Sequence, residues 1–156
     1  MRLKCNNSLL LAGTATCPYT YYEPNIMACR ILVCDDNDDD VYILLHTFKA
    51  AGIAVECARA RDGEEALTSL TTGEVYDLVI LDNHLPRRSG SEVMEIIYNR
   101  GQNPPCPVVM LSSQVVNGKE SPGKHGVHAI IEKPFTLDGY MTVVESLATL
   151  CPVAAR

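Results

Sequence analysis

Four short apolar runs each end in a residue that carries charge or a hydroxyl, and this pattern limits the folds open to the chain. Ile31-Leu32-Val33-Cys34 ends in Asp35-Asp36, and Leu78-Val79-Ile80-Leu81 ends in Asp82. Val108-Val109-Met110-Leu111 ends in Ser112-Ser113, and Ala129-Ile130-Ile131-Glu132 ends in Lys133-Pro134. A continuous apolar run of this length is the signature of a strand buried on both faces, as in a parallel sheet. In such sheets the ligand crevice lies beyond the carboxyl ends of the strands. The polar residues therefore collect along one edge.

Helical signals fill the gaps between the runs. Asn37-Asp38-Asp39-Asp40 caps a helix and puts negative charge at its positive end; Val41, Leu44, Leu45, Phe48 and Ala51 then share one side, and Gly52 stops it. A second strand at 54–58 leads to Asp62-Gly-Glu-Glu65, an Asp-x-x-Glu start for a helix with Ala66, Leu67 and Leu70. The third strand falls at 77–81, followed by a loop with Pro86 and Gly90 and a helix carrying Val93, Ile96 and Ile97. The fourth strand spans 107–111. Between Gln114 and Gly126 the chain holds Gly118, Pro122 and Gly123 with little apolar periodicity, so a short or irregular element is expected there. The fifth strand, 129–132, precedes a last helix from about Leu137 with Met141, Val144, Leu147 and Ala148. Five β/α units in alternation mean an α/β fold with helices on both faces of the sheet.

The 156 residues make one domain with one sizeable core. A formal charge of −6 argues against nucleic acid, which wants clustered Lys and Arg, and no apolar stretch is long enough to span a membrane. The seven cysteines form no Cys-x-x-Cys pair, which removes the usual zinc and dithiol spacings and reads as reduced thiols in a cytoplasmic protein. Cys34 and Cys57 are expected to serve as small apolar residues in strands. Residues 1–27 read as an irregular extension whose apolar stretch, interrupted by Gly13 and followed by no clean cleavage site, is too short for a signal peptide, and a native start is expected at Met27; 28–151 is the domain and 152–156 a tail.

Asp35, Asp36 and Asp82 at adjacent strand ends repel by roughly 4 kcal/mol per pair at ~4 Å and an effective dielectric near 20. A hard divalent cation offsets this, Mg²⁺ above all, and Lys133 also contributes. A carboxylate beside such an ion is a nucleophile towards phosphorus. The transferred group spreads charge over three oxygens, which the ion, the Lys133 ammonium and the Ser112 hydroxyl would share.

Residues 28–150 resemble a receiver domain of two-component response regulators. The resemblance rests on Asp35-Asp36, Asp82-x-x-x-Pro86-x-x-x-Gly90, Ser112 and Lys133-Pro134-Phe135, in order and at the right strand ends. It implies a flavodoxin-like doubly wound sheet of order 2-1-3-4-5. It also implies Asp82 as phosphoacceptor, with Mg²⁺ (or Mn²⁺) held by Asp36, Asp82 and the His84 backbone carbonyl, and by Asp35 through water. Ser112 and Lys133 would bind the phosphoryl group, and the Lys133–Pro134 peptide would be cis. The implied donor is a histidine kinase or phosphotransfer protein, and the implied output is contact with a downstream protein, with a homodimer left open. Asp35-Asp36-Asn37-x-x-Asp40 is similar to single-domain receivers paired with phytochrome-like kinases, and the chain ends soon after its last helix, which leaves no room for an output domain.

Two positions depart from the family pattern. Ser113 replaces the usual Ala, and Ile130 stands where a switch aromatic is expected, which puts the usual output face in question. His84 is weighed as a residue beside the phosphoryl group that governs attack by water against a loop histidine in solvent; His46, His125 and His128 read as surface residues. The competing functions are a docking module that is never phosphorylated and, remotely, a phosphatase of the haloacid dehalogenase type. The latter carries Asp-x-Asp after its first strand, whereas His84 stands two residues past Asp82 here.

Overall fold

The apolar runs pair edge to edge in a computed structural model that describes residues 28–113 and 122–151. The strands are β1 (Cys29–Cys34), β2 (Val55–Ala60), β3 (Leu78–Asp82), β4 (Val108–Ser112) and β5 (Ala129–Glu132). All neighbours are parallel and the order is β2-β1-β3-β4-β5. Every residue of the inner strands β3 and β4 is buried, whereas the edge strands β2 and β5 are mixed. This explains why the inner runs are purely apolar and the outer ones are interrupted.

Among the described residues, four α-helices flank the sheet: α1 (Asp38–Ala50), α2 (Gly63–Thr71), α3 (Gly90–Asn99) and α4 (Leu137–Ala148). Alternation along β1 sends Ile31 and Val33 to a core with Leu44, Phe48, Val144 and Leu147 of α1 and α4. Leu32 and Cys34 face Ala66, Val93, Met94 and Ile97 of α2 and α3. Each large side chain so buried contributes about 1.5–3 kcal/mol, so both faces hold the strand ends in place.

Two of the helix caps are those the sequence announces. Asn37 accepts hydrogen bonds from the amides of Asp39 and Asp40, and Asp62 does the same for Glu64 and Glu65. A reciprocal Ser89–Glu92 capping box starts α3. Strand limits differ by a residue or two: β2 begins one residue later and runs two further than expected, and β3 and β4 each include the polar residue read as following them. Asp82 therefore keeps a ladder partner, Leu111, and its backbone is fixed by the sheet.

The weak fourth slot yields a single 3₁₀ turn, Lys124–Gly126, among the described residues; Gly123 and Gly126 have φ of +87° and +79°. The expectations for 1–27 and 152–156 lie outside the described residues. No described helix is long and apolar enough to cross a membrane.

Three expectations are corrected. Cys29 and Cys151 form a disulfide with Cα atoms 6.0 Å apart. They are 122 residues apart in sequence, so no spacing motif announces the pair, yet β1 begins where the chain leaving α4 arrives. Cys57 is exposed on edge strand β2 rather than buried, whereas Cys34 is buried as expected. The Lys133–Pro134 peptide is trans, the form ordinarily favoured even before proline.

Candidate functional site

The carboxyl ends of β1, β3, β4 and β5 deliver Asp35, Asp82, Ser112 and Lys133 to one edge of the sheet. Lys133 leaves β5 and reaches past β4, so that its Nζ stands 2.8 Å from Asp82 Oδ2 and 2.7 Å from Asp35 Oδ2. Asp35, Asp82 and Ser112 are buried and Asp36 is exposed. One ligand oxygen from each of Asp35, Asp36 and Asp82 lies within 4.8 Å of the others.

The two buried carboxylates are held alike. The Asn37 amide donates to Asp35 Oδ1 at 2.9 Å, and the His84 amide donates to Asp82 Oδ1 at 2.8 Å. Each thus spends one oxygen on the backbone two residues ahead and the other on Lys133, which fixes both side-chain torsions. Burial pushes the Asp35 carboxyl above its ordinary value, and the hydrogen bonds from Lys133 and Asn37 only partly oppose this. For Lys133, burial alone would weaken proton binding, but hydrogen bonds to Asp35, Asp82 and Asp40 outweigh it and raise its pKa well above that of a free lysine. The lysine stays charged throughout the neutral range.

Two residues with a part in the site were not singled out by sequence reasoning. Asp40, in the first turn of α1, lies 2.9 Å from Lys133 Nζ and accepts a hydrogen bond of 3.2 Å from the Tyr140 hydroxyl. The sequence places it as a charge at a helix start and as part of the Asp35-Asp36-Asn37-x-x-Asp40 pattern, with no contact to Lys133 assigned; its further signal is that this helix starts at the site edge. Arg59, near the end of β2, donates through Nε and Nη2 to the Asp35 carbonyl at 3.2 and 3.1 Å and pairs with Asp38. A basic residue closing a strand next to β1 was the available sign.

Gly90 explains part of the Asp82-x-x-x-Pro86-x-x-x-Gly90 spacing. It is the first residue of α3, and a Cβ there would lie 2.7 Å from the Asp82 carbonyl oxygen and 3.1 Å from Asn83 Cα. Only glycine lets α3 start so close to the strand end. Pro86 turns the loop, its carbonyl accepting from the amides of Gly63 and Arg88 at 3.1 and 2.8 Å.

The remaining candidates divide. His84 is exposed beside Asp82, with Nδ1 3.4 Å from Ser113 Oγ. Ile130 is half-buried against the core under α3. His46 stacks on Tyr42 and His125 against Tyr98, both away from the acidic cluster.

The donor set suits a hard divalent ion. Lys133 pairs with Asp35, Asp40 and Asp82, and Asp36 adds a further carboxylate to the Asp35–Asp36–Asp82 cluster, so the acids outnumber the one ammonium and the donors are all oxygen. The sequence matches the model of the response regulator receiver domain over residues 31–145.

The chain belongs to the response regulator receiver domain family.

Its similarity to individual receivers is moderate. It is 33% identical over 112 residues to the transcriptional regulatory protein DltR of Streptococcus agalactiae, which covers 70% of this chain and 47% of that protein. The chain thus spans about half the length of such curated relatives. It is 26% identical over 121 residues to the polar-differentiation response regulator DivK of Brucella anthropi, covering 77% of this chain and 96% of that one. Among solved structures, the response regulator TrrA of Thermotoga maritima, in complex with Mg²⁺-BeF, superposes with a TM-score of 0.61 at 29% identity, over 80% of this chain and 99% of that one.

Proposed function

We propose that this receiver takes a phosphoryl group onto Asp82 from a phosphohistidine of a histidine kinase or phosphotransfer protein, in a Mg²⁺-dependent reaction, and passes the signal by protein–protein contact. The support is foremost geometric: one lysine spans three strands to bind both Asp35 and Asp82, the two buried carboxylates of the cluster. No folding requirement calls for two acids and a lysine in so little solvent.

An Asp82 oxygen attacks phosphorus in line, the donor's P–N bond breaks, and its electron pair leaves with the imidazole. No general base is needed for an ionised carboxylate. Lys133 donates to one phosphoryl oxygen as charge develops there, and the Ser112 hydroxyl serves another. Asp35, Asp36, Asp82 and the His84 carbonyl are the residues that would hold the metal, which supplies positive charge to the phosphoryl oxygens. Mg²⁺ fits an all-oxygen set, and Mn²⁺ would serve in its place. The similar TrrA was captured with Mg²⁺-BeF.

The reading makes the domain a switch rather than a turnover enzyme, with residues 28–151 as the receiver unit and the flanks outside it. A cytoplasmic setting goes with it. Cellular thiols there reduce accessible disulfides, but Cys29 and Cys151 are buried from them.

Incubation with acetyl phosphate and MgCl₂, followed by intact-mass analysis, tests the proposal. The expected result is one alkali-labile phosphoryl group, absent without metal and absent in Asp82→Asn. Continuous phosphate release from many esters would instead mark a phosphatase, and no labelling would mark a docking module.

A further inference from the structure

The Lys133 ammonium has three N–H donors, and three carboxylates take them: Asp35 at 2.7 Å, Asp82 at 2.8 Å and Asp40 at 2.9 Å. Two of these partners change during the reaction proposed above. Asp82 would become an acyl phosphate and lose its carboxylate charge, and Asp35 is one of the residues that would hold the metal. Asp40 neither accepts the phosphoryl group nor belongs to the Asp35–Asp36–Asp82 cluster. It is the partner that stays constant.

Asp40 is itself held. Its Oδ2 faces Lys133 and its Oδ1 accepts from the hydroxyl of Tyr140 at 3.2 Å. Tyr140 is only 3% exposed, packed in the core between α1 and α4. Burial, followed by the charge of Asp40, pushes its phenol up to about 12, so the hydroxyl remains a donor at neutral pH. The residues Asp35, Asp40, Asp82, Lys133 and Tyr140 border one small cleft beneath the strand ends.

We propose that Asp40 is a positioning residue for Lys133, fixed from α4 by Tyr140, and that it aims the ammonium at the phosphoryl group while the other two carboxylates change. The inference rests on Asp82 being the phosphoacceptor. A four-carbon stem left with only Asp35 and Asp82 would follow whichever carboxylate kept its charge, and misplacement by about 1 Å can cost up to 10²-fold in rate. The same chain of contacts ties the state of the site to α4, a route that does not pass through position 130, which holds an aliphatic residue here.

The test measures labelling by acetyl phosphate at saturating donor and MgCl₂, for the unaltered protein, Asp40→Asn, Tyr140→Phe and the double variant, with a thermal melt of each. Asp40→Asn is expected to lower the saturated rate about 10-fold while leaving the half-saturating donor concentration within about 2-fold. Tyr140→Phe, which removes one hydroxyl and keeps the ring, is expected to lower it about 3-fold, and the double variant to match Asp40→Asn alone, because the two residues act in series. Unaltered rates in both single variants, or losses that multiply in the double variant, overturn the proposal. If Asp40→Asn does not fold, an unaltered saturated rate in Tyr140→Phe overturns it and a lowered one upholds it. A natural sequence that takes no label removes the phosphoacceptor reading and this inference with it; a labelled natural protein with indifferent variants removes this inference alone.

Discussion

Replacing Lys133 by Gln tests how the site is held together before any phosphoryl group arrives. The ammonium stands between Asp35 and Asp82, whose side chains are 6% and 7% exposed. Without it, oxygens within 4.8 Å of each other repel in poor solvent contact, about 3.5 kcal/mol at an effective dielectric near 20. Removal of one partner from a buried ion pair generally costs about 3–5 kcal/mol. Asp35 can relieve part of this by taking a proton, so we expect a loss of about 3 kcal/mol at neutral pH, or about 10 °C in Tm for a domain of this size. The pH dependence has a definite sign. Burial already holds the folded Asp35 carboxyl above its ordinary value, and loss of Lys133 raises it further. A group raised in this way stabilises fully below its unfolded pKa, and that stability is lost as pH rises through the folded pKa. The variant should therefore recover towards the natural protein on acidification, and should gain more from MgCl₂, because an ion replaces the missing charge. Thermal and urea melts with and without MgCl₂, at neutral pH and near pH 5, measure this. Equal melting of the two proteins at neutral pH without metal, or equal gains from MgCl₂, would refute the reasoning.

Other consequences follow from single contacts. Gly90→Ala forces a methyl group against the Asp82 carbonyl and should cost about 1–3 kcal/mol in urea melts while slowing labelling, because the backbone that must yield carries the phosphoacceptor. Arg59→Ala frees the Asp35 carbonyl from two hydrogen bonds and should weaken Mg²⁺ binding by about tenfold in a calorimetric titration; unchanged affinity would show that the guanidinium serves only Asp38. His84→Ala removes an exposed ring beside Asp82 and Ser113 and should shorten the life of the phosphorylated form about 3-fold by admitting water. An unaltered dephosphorylation rate would make His84 a bystander.

Much of this domain was legible in its sequence for a physical reason. Strands buried on both faces must be apolar throughout, so Leu78–Leu81 and Val108–Leu111 were evident, and the residues that close them had to share an edge. Edge strand β2 obeys no such rule; only Ala60 of its six residues is fully buried, and its limits were read less well. The contact of Asp40 with Lys133 was not legible because Asp40 satisfies a local rule, negative charge in a first helical turn, that hides its tertiary role. Arg59 was missed because its targets, a carbonyl and an aspartate on other segments, leave no periodic trace. The Cys29–Cys151 pair was invisible for a related reason: it depends on where two distant segments meet.

That pair also has a mechanical consequence. Cys29 is the first residue of β1, and Cys151 follows α4, so the covalent bridge ties the start of the first strand to the end of the last helical segment described. Tension applied to the flanking segments would run straight through sulfur and bypass the whole sheet. Once the bridge is reduced, the load would fall on the first hydrogen bonds of β1 with its neighbours at Val55 and Leu78.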